Sequence, residues 1–254
     1  KNKTMKIKLE CKRNCTGLFK KPNIKSERQK EILFGEQFIV TKKFKKFFYG
    51  YSAYERYHGY VAKKDLTITS NQNNYIVQKG KIFLYKKNNN KSKINKFLYL
   101  NSRVYIPKLG KNFSQINQYW IKNEDIKKIK REKNTNFIQS LKYFKNTKYV
   151  WGGNTCDGID CSGLVQEMLK NIFLKCPRDS KDQEKFFKKK IKINQIKKGD
   201  LLFWKGHVAI ALNKNESVHA YGPKKKVIRM KTKKIISDLL KKSLKLSSIR
   251  RPIN

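Results

Sequence analysis

A glycine-rich stretch that ends in a cysteine decides the fold of the second half of this 254-residue chain. Apolar residues at helical spacing follow the cysteine, so we predict a helix from about Asp160 to Leu174. Cys161 therefore stands at the start of a helix. The stretch is Tyr149-Val150-Trp151-Gly152-Gly153, then four residues, and then Gly158-Ile159-Asp160-Cys161-Ser162-Gly163-Leu164.

A cysteine in this position has properties of a nucleophile. The N-terminus of a helix favours negative charge, which we expect to lower the pKa of the Cys161 thiol, and the thiolate is the form that attacks carbonyls. The first backbone N–H groups of the helix can also donate to a developing oxyanion. Position alone leaves a second interpretation open, in which Cys161 is a small buried side chain at a helix start.

Two of the three histidines of the chain follow the predicted cysteine helix. His207 begins an alternating run through Ile210, which is typical of a strand, and His219 lies on the next predicted strand. Two histidines on neighbouring strands opposite Cys161 predict a Cys–His–His triad. His207 would take the thiol proton, and His219 would hold the tautomer and orientation of His207. His58 lies in the first half and is interpreted as structural or exposed.

The rest of the second half predicts helices packed on an antiparallel sheet. A helix that carries a cysteine, combined with strands that carry histidines, is an α+β layout. Spacing and alternation predict helices at 135–146, 160–174, 179–188 and 235–240, and strands at 200–205, 207–213, 217–220, 227–230 and 249–253.

Short β-like runs fill the first half of the chain. One set runs from Glu31 to Leu66, and a second set runs from Tyr75 to about Ile121. Two successive sets of about five short strands predict two small barrels. The predicted domains are a basic tail at 1–22, barrels at 23–70 and 71–130, and the α+β domain at 131–254.

The charge of the chain does not by itself indicate a nucleic-acid partner. The formal net charge is +44, but 53 of the 62 basic residues are lysine. Lysine, asparagine and isoleucine share A/T-rich codons, so base composition accounts for the bias. A dedicated nucleic-acid reader would rely on arginine. We therefore expect a solvated lysine-rich surface and no specific nucleic-acid binding. No run of 18 apolar residues predicts a membrane span.

The cysteines and the start of the chain bear on the cellular compartment. Five cysteines are an odd number, which does not fit a disulfide framework. Cys11 and Cys15 lack the second Cys/His pair that a zinc site of this kind needs. No secretory leader is visible, and the chain opens on Lys1 rather than Met. These observations favour the cytoplasm, whereas a leader missing upstream would favour the periplasm.

An ordered set of motifs resembles the NlpC family, papain-like cysteine peptidases that act on bacterial cell-wall peptides. The resemblance covers about residues 135–254. The first half resembles the paired bacterial SH3-like domains that precede such catalytic domains. The catalytic motifs are Tyr149-x-Trp151-Gly152-Gly153, Asp160-Cys161-Ser162-Gly163-Leu164, Pro177-Arg178-Asp179-Ser180, Gly199-Asp200-Leu201-Leu202-Phe203-Trp204, His207-Val208-Ala209-Ile210, His219-Ala220 and Arg250-Arg251-Pro252. The SH3-like pieces are Leu33-Phe34-Gly35-Glu36 and His58-Gly59-Tyr60-Val61.

The resemblance implies a fold and an activity. The fold would be a papain-like domain, with helices packed on an antiparallel sheet, preceded by two SH3-like β-barrels. The enzyme would hydrolyse the bond between D-γ-glutamate and a diamino acid in peptidoglycan stem peptides with a free N-terminal L-Ala. Cys161 would be the nucleophile, His207 the base and His219 the third polar residue. The murein stem peptide would be the partner, no metal or cofactor would be needed, and we expect a monomer.

The resemblance also implies how the substrate is held. Asp160 would pair with the ammonium of L-Ala, because a buried ammonium needs a carboxylate. The alternative interpretation of Asp160, from its position alone, is the N-cap of the helix, and the two roles are compatible. The other implied pocket residues are Tyr149, Ser162 and Ser180, with Glu27 and Tyr60 in the barrel wall that closes the pocket.

Two alternative functions remain open at the level of the sequence. The same triad serves related Cys–His amidases and acyltransferases. Testing stem peptides, other amides and lipids as substrates would distinguish those enzymes from a stem-peptide peptidase. A basic module that binds nucleic acid or an anionic wall polymer is the second alternative. In that case all five thiols would be alkylated at similar rates.

Overall fold

The chain folds as two units, each of which has hydrophobic core residues of its own. The computed structural model describes residues 7–69, 72–130 and 136–253, and the two units are Lys1–Arg131 and Glu132–Asn254. Strands dominate the first unit, whereas the second combines helices with a sheet. No helix in the described ranges is long and apolar enough to cross a membrane.

The first seven strands form one antiparallel sheet. Its core includes Leu18, Ile32, Phe38 and Val61, which are almost completely buried. The order in the sheet is β3-β2-β6-β5-β4-β1-β7. The strands are β1 (Ile7–Cys11), β2 (Cys15–Phe19), β3 (Arg28–Leu33), β4 (Gln37–Lys43), β5 (Phe47–Ser52), β6 (His58–Ala62) and β7 (Leu66–Ile68).

The predicted basic tail at 1–22 is wrong for its described part, because β1 and β2 belong to the first sheet. Leu9 and Cys11 in β1, and Thr16 and Leu18 in β2, alternate with more exposed residues. Each strand contributes only two inward side chains. Lysines and arginines around them hid this short alternation in the sequence.

The next seven strands form two smaller antiparallel sheets that enclose one apolar core. Their orders are β10-β9-β13-β12 and β11-β8-β14. Val77, Leu84, Leu98, Ile121 and Ile126 lie in the core. The strands are β8 (Tyr75–Val77), β9 (Lys81–Tyr85), β10 (Lys93–Tyr99), β11 (Arg103–Val104), β12 (Phe113–Ile116), β13 (Tyr119–Lys122) and β14 (Ile126–Lys128).

The two strand sets end in the same way. A turn of 3₁₀ helix at Lys63–Asp65 leads into β7, and another at Asn123–Asp125 leads into β14. In each, the residue that follows the turn donates its backbone N–H to the first carbonyl of the turn. The sets therefore share a local pattern.

The C-terminal unit has the predicted α+β class. Five strands form an antiparallel sheet in the order β20-β19-β18-β17-β21, and a two-residue pairing joins β15 and β16. The helices are α1 (Cys161–Lys170), α2 (Ser180–Phe186) and α3 (Thr232–Leu240). The strands are β15 (Asn154–Thr155), β16 (Gly158–Ile159), β17 (Leu201–Trp204), β18 (His207–Ala211), β19 (Glu216–Tyr221), β20 (Lys226–Lys231) and β21 (Leu246–Arg250).

The predicted helix at 135–146 is a 3₁₀ helix, Phe137–Phe144, rather than an α-helix. Phe137, Ser140 and Phe144 are buried, and the segment packs against α1. Spacings of three and four residues fit both helix types, so the pattern of apolar residues did not distinguish them. The helix ends before Asn146, whose φ is 59°.

Candidate active site

Cys161 is the first residue of α1, and the residue before it caps the helix. The backbone N–H of Gly163 donates to Oδ1 of Asp160 at 2.7 Å. A Cβ atom at position 163 would lie 2.5 Å from the carbonyl oxygen of Gly153, so only glycine permits this approach. Helix α1 packs against β18 and β19, and all of its residues, including Cys161, are buried.

The two histidines lie side by side on neighbouring strands. Nε2 of His207 on β18 and Nδ1 of His219 on β19 are 2.8 Å apart, a hydrogen-bond distance. His219 is almost completely buried, whereas His207 keeps part of its ring exposed. Since Nε2 of His207 is engaged by His219, Nδ1 is the nitrogen that remains to exchange a proton with another group.

The sulfur of Cys161 lies at the beginning of β18. The backbone N–H groups of Val208 and Ser162 donate hydrogen bonds to this sulfur. Val208 is the residue after His207, so the thiol and the two imidazoles occupy one region of the structure. The structure thus pairs His207 with His219 and places the Cys161 sulfur beside Val208, the residue that follows His207.

Burial decides the protonation of these groups. It raises the pKa of the Cys161 thiol to about 12, with a further increase from Asp160, against the opposite effects of Val208, Arg178 and Ser162. The expectation of a lowered thiol pKa is therefore wrong in its net direction, because withdrawal from water outweighs the two backbone hydrogen bonds and the Arg178 charge.

The imidazoles shift in the opposite direction. Burial lowers the pKa of His207 to about 4 and the pKa of His219 to about 3, and the proximity of His207 lowers the pKa of His219 further. At neutral pH the resting site therefore holds a neutral thiol beside neutral imidazoles. A thiolate would need an acceptor for the Cys161 proton, and transfer to a neighbouring imidazole would create two adjacent opposite charges rather than one isolated charge.

Arg178 is a central residue of the site to which the sequence analysis gave no role. Its guanidinium donates to both carboxylate oxygens of Asp160, at 2.9 and 2.6 Å. It also donates to Oγ of Ser162 at 2.9 Å and to the carbonyl of Gly153 at 3.4 Å. Arg178 is only 2% exposed. One buried guanidinium therefore joins the glycine-rich loop to the residues on either side of Cys161.

Asp160 has few acceptor positions left for a further donor. Besides Arg178, it accepts hydrogen bonds from Gly163 N–H and from Gly152 N–H, the latter at 2.8 Å, and from the hydroxyl of Ser162 at 3.3 Å. The predicted N-cap role of Asp160 is present. Its predicted pairing with an ammonium stays a prediction, and in this structure Arg178 balances the charge of the carboxylate.

Tyr149 and Ser180, the other two predicted pocket residues of this unit, lie in different elements. Tyr149 is half-buried and precedes β15, and its backbone N–H donates to the carbonyl of Lys225 at 2.8 Å. Burial raises the pKa of its phenol, and the nearby Cys161 and Asp160 raise it further. Ser180 is the first residue of α2 and is buried.

The two residues predicted for the barrel wall lie in the N-terminal unit. Glu27 is exposed, between β2 and β3, with its carboxylate 3.2 Å from Nζ of Lys20. Tyr60 lies on β6, and its ring centroid is 4.9 Å from that of Tyr49. Their part in a substrate pocket stays a prediction. Within the described residues, no group of three or more His, Cys, Asp or Glu side chains is placed to hold a metal ion.

The second half of the chain matches a known family. Residues 146–244, which contain Cys161, His207 and His219, match the NlpC/P60 family. The C-terminal unit is an NlpC/P60 domain. Dipeptidyl-peptidase 6 of Lysinibacillus sphaericus is 41% identical over 87 residues, which are 34% of this chain and 31% of that protein. The γ-D-glutamyl-L-lysine dipeptidyl-peptidase of Bacillus subtilis is 29% identical over 154 residues, which are 58% of this chain and 52% of that protein.

The likeness of fold extends beyond the NlpC/P60 domain. A solved NlpC/P60 family protein from Bacillus cereus covers 97% of this chain, and this chain covers all of that one, with a TM-score of 0.82 and 18% identity. At this identity the comparison shows a shared fold. The chain spans only about a third to a half of the length of the curated relatives described above.

Proposed function

We propose that this protein is a cysteine endopeptidase that hydrolyses the D-γ-glutamyl–diamino acid bond of murein stem peptides. The observation that carries the proposal is the pairing of His207 with His219 at 2.8 Å, next to Val208, whose backbone N–H meets the Cys161 sulfur. The peptidase names of the relatives, one of which states a γ-D-glutamyl-L-lysine specificity, support the reaction class and the bond.

The proposed reaction starts from a neutral Cys161 thiol and a neutral His207 imidazole. Nδ1 of His207 takes the thiol proton, and the Cys161 sulfur attacks the γ-carbonyl carbon of D-glutamate. The backbone N–H of Cys161 at the start of α1 stabilises the oxyanion. His207 then returns the proton to the leaving amine as the C–N bond breaks. Water adds to the resulting thioester, His207 acts again as base, and the free thiol is restored.

We propose that the substrate carries a free N-terminal L-Ala, which is the case only after the peptide has left the glycan strand. Asp160 would accept the ammonium while it remains bonded to Arg178, and Tyr149, Ser162 and Ser180 would line the same pocket. Such a substrate suits action on released peptides in the cytoplasm.

We also infer that the N-terminal unit consists of two SH3-like barrels. The repeated ending, a 3₁₀ turn followed by a short strand, supports two copies of one module. The first module would begin at β1 rather than at residue 23, because β1 pairs with β4 and β7. The second would occupy residues 72–130.

The test is hydrolysis of L-Ala-γ-D-Glu-diaminopimelate, its L-lysine counterpart and the N-acetylated form of each, with product masses as the readout. We expect cleavage after D-Glu in the first two peptides and a large loss with the acetylated forms. Cys161→Ala and Cys161→Ser are expected to lower kcat at least 1000-fold, whereas Cys156→Ser, at a cysteine outside the triad, is expected to stay within threefold.

Different outcomes would separate the competing functions. Turnover retained in Cys161→Ala would remove Cys161 as the nucleophile. Cleavage of other amides or acyl transfer to an added amine, with stem peptides left intact, would favour an amidase or acyltransferase that uses the same triad. Cleavage of acetylated and free peptides at equal rates would remove the requirement for a free L-Ala.

A further inference from the structure

A tyrosine lies flat against the buried histidine of the candidate triad. The ring centroids of Tyr221 and His219 are 4.7 Å apart, and their planes differ by only 15°. Both residues lie on β19, two positions apart, so their side chains project from the same face of the strand. Tyr221 is 7% exposed and His219 is 1% exposed, so the stack is closed to solvent.

The same ring also faces the other histidine. In the register of β18 and β19, Ile210 is opposite Val218, and continuing this register sets His207 across from Tyr221. The centroids of His207 and Tyr221 are 6.0 Å apart. Tyr221 therefore touches the hydrogen-bonded imidazole pair from one side, as a cross-strand neighbour of one ring and a stacking partner of the other.

Within the ranges that the structure describes, the imidazole of His219 is held by a single hydrogen bond. Its Nδ1 meets His207 at 2.8 Å, while its Nε2 is buried and has no hydrogen-bond partner among the described residues. A ring with a single polar contact can rotate about the Cβ–Cγ bond, because this torsion is broad for histidine. A parallel aromatic ring in van der Waals contact resists such rotation, since the ring would have to leave the stacking plane.

We propose that Tyr221 is a positioning residue of this enzyme. It keeps His219 in the plane in which Nδ1 meets Nε2 of His207, and it thereby holds Nδ1 of His207 toward Cys161. This role rests on the proposed peptidase function, since it assumes that His207 moves the proton. The phenol hydroxyl has no part in it, because the stacking surface is the ring. The Nζ atom of Lys242 lies 5.7 Å from the ring centre of Tyr221.

A positioning role differs from a role in the hydrophobic core, to which Tyr221 also belongs. Leu239 on α3 is a member of the same core cluster and is 3% exposed. Leu239→Ala removes a core side chain of the same cluster without removing the stack, so it serves as the matched control. Tyr221→Phe keeps the ring and deletes the hydroxyl, and Tyr221→Ala deletes both.

The test measures kcat and KM on the stem tripeptide for the full chain, at equal concentrations of folded protein. We expect Tyr221→Ala to lower kcat by about 10- to 100-fold with KM within threefold of the wild-type value. Tyr221→Phe and Leu239→Ala should keep kcat within threefold. The downfield proton resonance of the imidazole N–H between His207 and His219 should be lost in Tyr221→Ala and retained in Tyr221→Phe and Leu239→Ala.

Three results would overturn the proposal. They are an unchanged kcat in Tyr221→Ala, an equal loss of kcat in Tyr221→Phe, and an equal loss of kcat in Leu239→Ala. If the wild-type enzyme cleaves no stem peptide, the proposed function fails while the resonance still reports on the stack. An imidazole N–H resonance that persists in Tyr221→Ala would then refute the stacking role independently.

Discussion

A single guanidinium accounts for much of the local order around the nucleophile. Arg178 binds both oxygens of Asp160, the hydroxyl of Ser162 and the carbonyl of Gly153, and it is buried. The planar fork of arginine suits this set of acceptors, whereas a lysine ammonium offers one point charge. A buried carboxylate that loses its partner is left as an uncompensated charge.

We predict that Arg178→Gln lowers the free energy of unfolding by about 3–5 kcal/mol, the usual cost of breaking one side of a buried ion pair. Arg178→Lys should be less costly because it keeps the charge. Urea unfolding of the full chain measures both. The control is Arg229→Gln, which breaks an exposed pair with Glu216 and should cost less than about 1 kcal/mol. Equal losses in the two Gln variants would contradict a special role for Arg178.

Cys161 and His207 could be selected at this scale because each lies in a recognisable motif, and their catalytic roles stay predictions. Cys161 follows a glycine-rich loop, and His207 begins an alternating strand. The contact between Asp160 and Arg178 joins residues 18 positions apart, on either side of α1 and the segment after it, and no spacing rule connects them. The raised pKa of Cys161 could not be predicted from the sequence either, because the burial of the thiol depends on the packing of α1 against the sheet.

At the scale of elements, the start of α1 depends on the absence of one side chain. Alanine at a helical position is about 1 kcal/mol more favourable than glycine. At position 163, however, the added Cβ would lie 2.5 Å from the Gly153 carbonyl oxygen, and backbone must move to relieve this contact. The steric cost therefore exceeds the gain in helix propensity.

We predict that Gly163→Ala lowers the free energy of unfolding by about 1–3 kcal/mol, the range for overpacked sites, and lowers kcat at least tenfold as Cys161 shifts. Thermal unfolding and tripeptide hydrolysis measure the two effects. The control is Ser237→Ala in α3, an exposed helical position that should change stability by less than about 0.5 kcal/mol. A more stable and fully active Gly163→Ala variant would show that the loop adapts without cost.

Element by element, the sequence predicted the strands of the catalytic sheet to within a few residues, because each has a clear buried run between turn signals. It missed β1 and β2, because each strand has only two inward side chains and the surrounding lysines obscure the alternation. It also assigned α-helix to the 3₁₀ segment Phe137–Phe144, because the two helix types share the spacing of their buried residues.

At the scale of the whole molecule, the buried imidazoles couple the stability of the fold to pH. The folded chain resists protonation of His207 and His219 until pH falls to about 4 and about 3, respectively, the lowered pKa values of their rings. In the unfolded chain an imidazole takes up its proton near pH 6.5. Above that pH neither state is protonated. Below it, the unfolded state binds more protons, so stability is lost as pH falls from about 6.5 toward 4.

We predict that the free energy of unfolding decreases between pH 6.5 and pH 5 by up to roughly 1 kcal/mol per pH unit for each imidazole, beyond the contribution of the carboxylates. Urea unfolding at several pH values, followed by tryptophan fluorescence, gives the slope. The double variant His207→Asn/His219→Asn removes both groups and should have the smaller slope whatever its absolute stability. If the double variant keeps the wild-type slope, His207 and His219 take up protons at the same pH in the folded and unfolded chain, and burial does not lower their pKa values.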